Sequence, residues 1–292
     1  MANINDKNLK LAIQKEGRLT EETLSLLRKA GLEFESYKQR LFSTCRNFPL
    51  EILYVRDDDI PDYVASGTVD LGIVGQNLLC EEKSKVKTLL KLGYGFCTLM
   101  VAVPKESEVK KLSDLEGKTI ATTYPESTLE FFAKNKVAIK TIKISGSVEI
   151  APALGVAEGI ADLMSTGSTL TLNDLRPLAK IYDTEAVLIA NEKTTAESSK
   201  QILLQKLLTR INGVLSAKTY KYVMMNAPEK ILPELQLMVP GLKSPTVASL
   251  AKPGWISVQT VIEEDVFWET IEKLKTAGAS GIIALPIECI IN

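Results

Sequence analysis

The chain of 292 residues contains no histidine. That absence removes metal sites built on two or three imidazoles, Ser-His-Asp and Cys-His nucleophile pairs, and any imidazole proton shuttle or pH switch. Chemistry here must run on carboxylates, Lys, Arg, hydroxyls, backbone amides or a bound metal ion. Cysteine is scarce and unpatterned: Cys45, Cys80, Cys97 and Cys289 show no CxxC spacing and lie in or beside apolar runs, the usage of reduced, mostly structural thiols. An excess of charge is missing as well, with 35 Lys+Arg against 36 Asp+Glu. A formal net charge of −1 gives no global attraction to nucleic acid or an anionic membrane, so an anionic ligand must be held by locally placed charge. No apolar run reaches membrane-spanning length: the most apolar stretch, Ile282 to Ile291, is broken by Pro286 and Glu288, and the opening MANINDKNLK has no apolar h-region. A cytoplasmic protein without nucleic-acid or membrane partners is expected.

What is present describes a globular protein, with 45% hydrophobic and 24% charged residues and a length suited to two or three domains. Short apolar strands alternate with helical patterns from Leu9 to about Asn191, which predicts a mainly parallel sheet. Strand-like runs fall at Leu9–Gln14, Ile52–Arg56, Asp70–Val74, Phe96–Val103, Lys118–Thr122, Lys140–Ile144, Ala161–Ser165 and Ala186–Ala190. The absence of a helix between Leu99–Val103 and Pro104 marks a crossing between two lobes, and Tyr182–Ala190 a return. This predicts a two-lobed α/β clamp, with one lobe from residues 1–100 and 182–217, the other from 101–181, and ligands at the carboxyl ends of strands. Leu204, Leu207, Leu208, Ile211 and Leu215 form one face of a helix expected to pack on the first lobe. Beyond Lys218 the pattern βαββαβ predicts a ferredoxin-like domain over 218–292, whose last helix shows a Glu269/Lys273 pair and a Gly278 stop.

The sharpest local signal runs from Glu149 to Leu170. A strand carrying Asp162 delivers the chain into Ser165-Thr166-Gly167-Ser168-Thr169-Leu170, with a helical segment after it. Such a loop offers backbone N–H groups, hydroxyls and close backbone approach at Gly167, which suits a phosphate monoester. Taken alone it reads more readily as an ordinary βα turn with a hydroxyl N-cap, and Asp162 as a solvated strand residue. Lys15 and Arg18, between the first strand and a helix opening at Thr20, suit phosphates, or a solvated basic turn. Asp70 with Leu71, Arg56 and Tyr124 have bland readings too: a cap, a surface ion pair and a core aromatic.

The spacing Glu149, Gly155, Ala157, Ile160, Asp162, Leu163, Thr166, Gly167, Thr169, Leu170 resembles the signature of the ATP phosphoribosyltransferase family. Further matches occur, in order, at Ala12–Leu19, Arg56–Pro61, Val69–Gly75, Ile120–Pro125 and Gly146–Glu149, and the end of the chain resembles the regulatory domain of the family's long form, at Tyr222–Met225, Ser244–Thr246 and Gly278–Ser280. The resemblance implies a periplasmic-binding-protein-like catalytic region with an ACT-like ferredoxin domain. It implies joining ATP, through adenine N1, to C1 of 5-phosphoribosyl 1-diphosphate with Mg²⁺ and release of pyrophosphate, feedback inhibition by histidine, and a hexamer built from dimers.

It also implies that Ser165, Thr166, Gly167, Ser168, Thr169 and Leu170 hold the 5-phosphate and that Glu149 and Asp162 face the ribose. Lys15, Arg18, Arg56, Asp70, Leu71 and Tyr124 would contact the nucleotide, and Asn226, Thr246 and Ala279 would line an effector site. The metal ligands stay unassigned. One departure stands out: Ser127-Thr128-Leu129-Glu130 replaces the basic residues that relatives often carry after the Tyr-Pro pair. Two other readings fit a two-lobed clamp: a solute-binding or sensing protein, and a regulatory subunit whose catalytic region has decayed.

Overall fold

The structure is a computed structural model that describes residues 7–35, 41–165, 168–192, 194 and 198–291, the side chains of Ser168, Thr169 and Ser198 excepted. Thr166 and Gly167 of the expected phosphate loop lie outside the described residues. The chain divides into two compact units, Met1–Ser25 with Glu33–Leu204, and Leu26–Leu32 with Gln205–Asn292.

The first unit is built on two sheets. In the first, strand β1 (Leu9–Gln14) has five of its six residues buried, because it is central and covered on both faces. It pairs in parallel with β3 (Leu50–Val55) and β4 (Leu71–Gly75). The full order is β2-β3-β1-β4-β11-β5, with β2 (Phe42–Thr44), β5 (Lys87–Lys91) and β11 (Ala186–Ala190) antiparallel to their neighbours. Helix α1 (Thr20–Lys29) follows β1, with Glu21 and Glu22 in its first turn and Arg28 and Lys29 in its last, each sign complementing the helix dipole. Helices α2 (Ile60–Ala65) and α3 (Gln76–Glu82) precede and follow β4.

The second sheet has the order β10-β6-β9-β7-β8. Strand β7 (Thr119–Thr122) runs parallel to β8 (Lys140–Lys143) and β9 (Gly159–Met164), while β6 (Cys97–Pro104) is antiparallel to β9 and to β10 (Leu175–Thr184). Alternation along its strands fills both faces: Val101, Val103, Ile120 and Ala161 pack with Phe132 of α4 (Pro125–Lys134), and Ala102, Ala121 and Ile160 with Val148 and Leu170, the latter on α5 (Ser168–Leu172).

The expectation of a mainly parallel sheet is therefore corrected. Both sheets are mixed, because the chain leaves the first sheet into β6 and returns through β10 into β11, so the crossing strands run against their neighbours. The two-lobed α/β clamp itself is what the first unit forms.

In the second unit, helix α6 (Ser198–Ala217) contributes its residues from Gln205 onward, which the apolar pattern had assigned to the first lobe. Its buried stripe is Leu204, Leu207, Ile211 and Val214, with Leu208 and Leu215 at the margin. Strands β12 (Tyr220–Pro228), β13 (Thr246–Ser249), β14 (Trp255–Glu263) and β15 (Ser280–Pro286) form an antiparallel sheet of order β13-β14-β12-β15. With α7 (Leu232–Met238) and α8 (Phe267–Ala277) this is the ferredoxin-like βαββαβ arrangement. Val223, Met225, Ala227, Val258, Phe267 and Leu274 share its core, and Gly278, at φ +107°, ends α8 by accepting the left-handed conformation.

Candidate active site

The carboxyl ends of β1 and β3 are tied together by the Lys15 N–H, which donates to the Val55 carbonyl at 2.8 Å. The turn that follows is tight. Gly17 takes φ +146°, the Gln14 side chain accepts from the Leu19 N–H at 3.0 Å, and a Cβ on Gly17 would lie 2.4 Å from Gln14 Nε2. This loop and the end of β3 line a cavity of about 740 Å³ walled by Leu53, Val55, Tyr63 and Val69, with Lys15, Glu16, Arg56, Asp57 and Asp59 at its polar side. An apolar slot with a few charged groups is the form expected of a nucleotide-sized site. Lys15 and Arg56 have no carboxylate partner among the described residues.

Arg18 reaches from the same loop toward the second sheet. Its guanidinium donates to the Gly95 carbonyl at 3.0 Å. Burial pushes the Cys97 thiol up, and Arg18, by its charge and a hydrogen bond, opposes that shift. Burial also raises Asp57, with Asp58 adding to the shift and Arg18 opposing it. Tyr124, at the start of α4, packs on the apolar cluster of Ile60, Val64, Val69 and Leu78, and its hydroxyl accepts from Asn77 Nδ2 at 3.3 Å. Burial drives its pKa upward, Asp162 and Asp57 add to the shift, and Arg18 opposes it. Arg18, Asp57, Tyr124 and Asp162 thus share one electrostatic neighbourhood spanning both sheets.

Asp162 lies on β9, between β6 and β7, and is half-buried. Burial pushes its carboxyl up to about 6; the Leu163 N–H, donating to Oδ1 at 2.8 Å, holds it down, and the Glu149 carboxylate raises it further. Glu149 sits in the 3₁₀ turn Val148–Ile150, entered through Ser147 at φ +50°. Ser165 is exposed at the end of β9; Ser168 and Thr169 open α5, and Leu170 is buried in the second sheet's core. The structure thus brings Glu149 and Asp162 together, and sets Ser165 and the first turn of α5 just downstream on the chain.

Other expected residues lie elsewhere. Asp70 is buried before β4, at the opposite end from Gly75, and its carboxylate is engaged internally. Lys200 Nζ and Thr194 Oγ1 donate to Oδ1 at 2.8 and 2.9 Å, and the Lys10 N–H donates to Oδ2 at 2.9 Å. Leu71 is fully buried in register with Leu11. In the second unit, Asn226 and Thr246 share the open face of the sheet, and Thr246 lines a cavity of about 740 Å³ with Tyr222, Ser244, Gln259 and Val261. Ala279 is part of the core on the other side.

The absent basic residues after Pro125 also have an account. Ser127 and Thr128 are buried, Thr128 Oγ1 donating to the Tyr124 carbonyl at 2.7 Å, and Glu130 pairs with Lys134 at 2.8 Å. Sequence reasoning missed Asp57, Asn77 and Glu81. The signal available for Asp57 was its place beside Arg56, inside the matching stretch Arg56–Pro61.

The HisG family model, ATP phosphoribosyltransferase, matches residues 56–213, and a second model, the HisG C-terminal domain, matches residues 217–289. An ATP phosphoribosyltransferase of Cytophaga hutchinsonii is 45% identical over 97% of this chain and 99% of its own. One of Phocaeicola vulgatus is 46% identical over 96% of this chain and 98% of its own. Among solved structures, the ATP phosphoribosyl transferase (HisG:HisZ) complex from Thermotoga maritima has a chain that superposes with a TM-score of 0.60 at 28% identity, covering 70% of this chain and 98% of that one. The chain belongs to the ATP phosphoribosyltransferase family, in the long form with the HisG C-terminal domain, and carries out the first step of histidine biosynthesis, joining ATP to 5-phosphoribosyl 1-diphosphate.

Proposed function

We propose that the reaction takes place between the two sheets, with ATP entering from the β1/β3 side and the phosphoribosyl group held beside β9. The observation that carries this reading is the pair Glu149 and Asp162, whose carboxylates repel one another across a partly desolvated site that Arg18 and Tyr124 border. Two neighbouring carboxylates suit a sugar carbon that becomes cationic as its bond to pyrophosphate lengthens. Adenine N1 brings its own lone pair, so no base must act before it attacks C1. The C1–O bond breaks with its electron pair leaving on pyrophosphate. Lys15, Arg18 and Arg56 are read as holding the phosphates, and Tyr124 as bordering adenine. Backbone amides from Ser165 into the first turn of α5 are read as holding the 5-phosphate.

Mg²⁺ fits the donors present. Among the described residues no three acidic or thiol groups converge as a cage. Mg²⁺ commonly binds through one or two carboxylates plus substrate phosphates, and Glu149 and Asp162 can supply the former. When bound, it would neutralise charge on the departing pyrophosphate. We further propose a cytoplasmic hexamer built from dimers, inhibited by histidine bound at the open sheet face that carries Asn226 and Thr246. The site reading is tested by following pyrophosphate release with ATP, 5-phosphoribosyl 1-diphosphate and Mg²⁺. Asp162→Ala and Thr169→Val should each raise the KM for the phosphoribosyl substrate with the fold intact, and unchanged kinetics in both would remove the assignment.

A further inference from the structure

We propose that Asn77 and Glu81, one turn apart on α3, are positioning residues. They clasp the start of α4 across the two sheets and hold Tyr124 against the nucleotide side of the cleft. The inference rests on the reading of Tyr124 given above.

Asn77 is buried to 3% exposure, and its polar atoms are engaged in defined directions. Its Nδ2 donates to the Tyr124 hydroxyl at 3.3 Å, its Oδ1 lies 3.4 Å from Thr184 Oγ1, and its own N–H donates to that same hydroxyl at 2.9 Å. Thr184 is the last residue of β10, where the chain turns back toward the first sheet, so one amide joins α3, the return strand and α4. The turn is shaped around it, since a Cβ on Gly75 would lie 2.3 Å from Asn77 Oδ1.

Glu81 acts on the same helix one turn later. Its two carboxylate oxygens accept from the N–H groups of Glu126 and Ser127, at 2.8 and 2.9 Å. Those are first-turn amides of α4, which have no partner within their own helix. The residue at the cap position is Tyr124, whose side chain makes no capping hydrogen bond. An anion on the other lobe therefore supplies the cap that the helix's own sequence lacks, and complements the positive end of its dipole. The face of α3 that carries Asn77 and Glu81 thereby fixes both the ring of Tyr124 and the backbone it hangs from.

A double-mutant cycle tests this in the full-length enzyme, with steady-state kinetics for both substrates. Tyr124→Ala should raise the KM for ATP. Tyr124→Phe and Asn77→Ala should each raise it about three- to tenfold, the effect of one neutral hydrogen bond, with kcat and the phosphoribosyl KM little changed. The double variant N77A/Y124F should be no worse than either single one. Glu81→Ala should raise the KM for ATP, and Glu81→Gln, which keeps one acceptor oxygen, should recover part of the loss.

An Asn77→Ala effect that persists in full in the Y124F background would show a merely structural role and overturn the proposal. Unchanged ATP kinetics in N77A and Y124F alongside a raised KM in Tyr124→Ala would overturn the clasp and leave the reading of Tyr124 standing. No effect in Tyr124→Ala would overturn both. Should N77A not fold, Y124F removes the same hydrogen bond from the other partner, and an unchanged KM there overturns the clasp.

Discussion

Replacing Asp162 by Asn should stabilise the first unit at neutral pH, and the gain should vanish in acid. The Asp162 carboxyl moves from its ordinary 3.8 to about 6 in the fold. The folded protein thus holds this proton more tightly than the unfolded chain does. Stability linked to that proton is fully present below about pH 4 and is lost as pH rises through about 6, after which the fold carries an ionised, partly desolvated carboxylate. At about 1.36 kcal/mol for each tenfold change in proton affinity, the loss is about 3 kcal/mol, less some solvent screening of the half-buried group. Asn keeps an oxygen to accept from the Leu163 N–H and has no charge, so it escapes this loss.

Thermal unfolding of both proteins without metal or substrate, between pH 4.5 and 8, should show D162N ahead by roughly 5–10 °C at the upper end, with the gap closing downward. A gap that does not change with pH, or a D162N protein that is less stable at pH 8, would refute the reasoning. The same variant should lose most of its turnover, because the charge that costs stability is the one proposed to meet the cationic sugar.

Asp70→Ala should destabilise the first unit by about 3 kcal/mol in urea unfolding, since Lys200, whose side chain is 17% exposed, would keep its charge with its partner gone. Adding Lys200→Met should recover part of that loss, whereas a neutral D70A would mean the pair contributes nothing. Histidine should bind with measurable heat in calorimetry and slow turnover, and Thr246→Val should weaken both; a protein indifferent to histidine would end the effector proposal.

Legibility in the sequence followed burial. Strands β1 and β11 could be read to their end residues, because continuous apolar runs mark strands covered on both faces. Strand β5, with Lys at both ends and no buried residue, and the three-residue β2 gave no such signal. The register of β10 shifts twice and its burial does not alternate, so a strand that pairs along the whole of β6 was missed. Mixed strand direction was hidden for a similar reason, since periodicity reports which faces are covered and not which way a neighbour runs. In the site, Glu149 and Asp162 stood out through a local pattern. Asn77 and Glu81 did not, because their partners lie more than forty residues along the chain and no short window contains both ends of the bond. The ion pair of Asp70 was hidden for the same reason, since Lys200, which reaches its carboxylate, lies far along the chain.

The place of β11 has a bearing on how the chain comes off the ribosome. Strands β4 and β5 are near neighbours in sequence, yet β11 lies between them in the finished sheet. Until Ala186–Ala190 has emerged, the facing edges of β4 and β5 have no partner strand, and roughly the first hundred residues cannot complete their sheet while the second sheet is being made. A nascent chain arrested there would present two open strand edges, the surface on which chains aggregate and chaperones act. The crossing between the two sheets therefore also postpones closure of the first sheet until about two thirds of the protein has been synthesised.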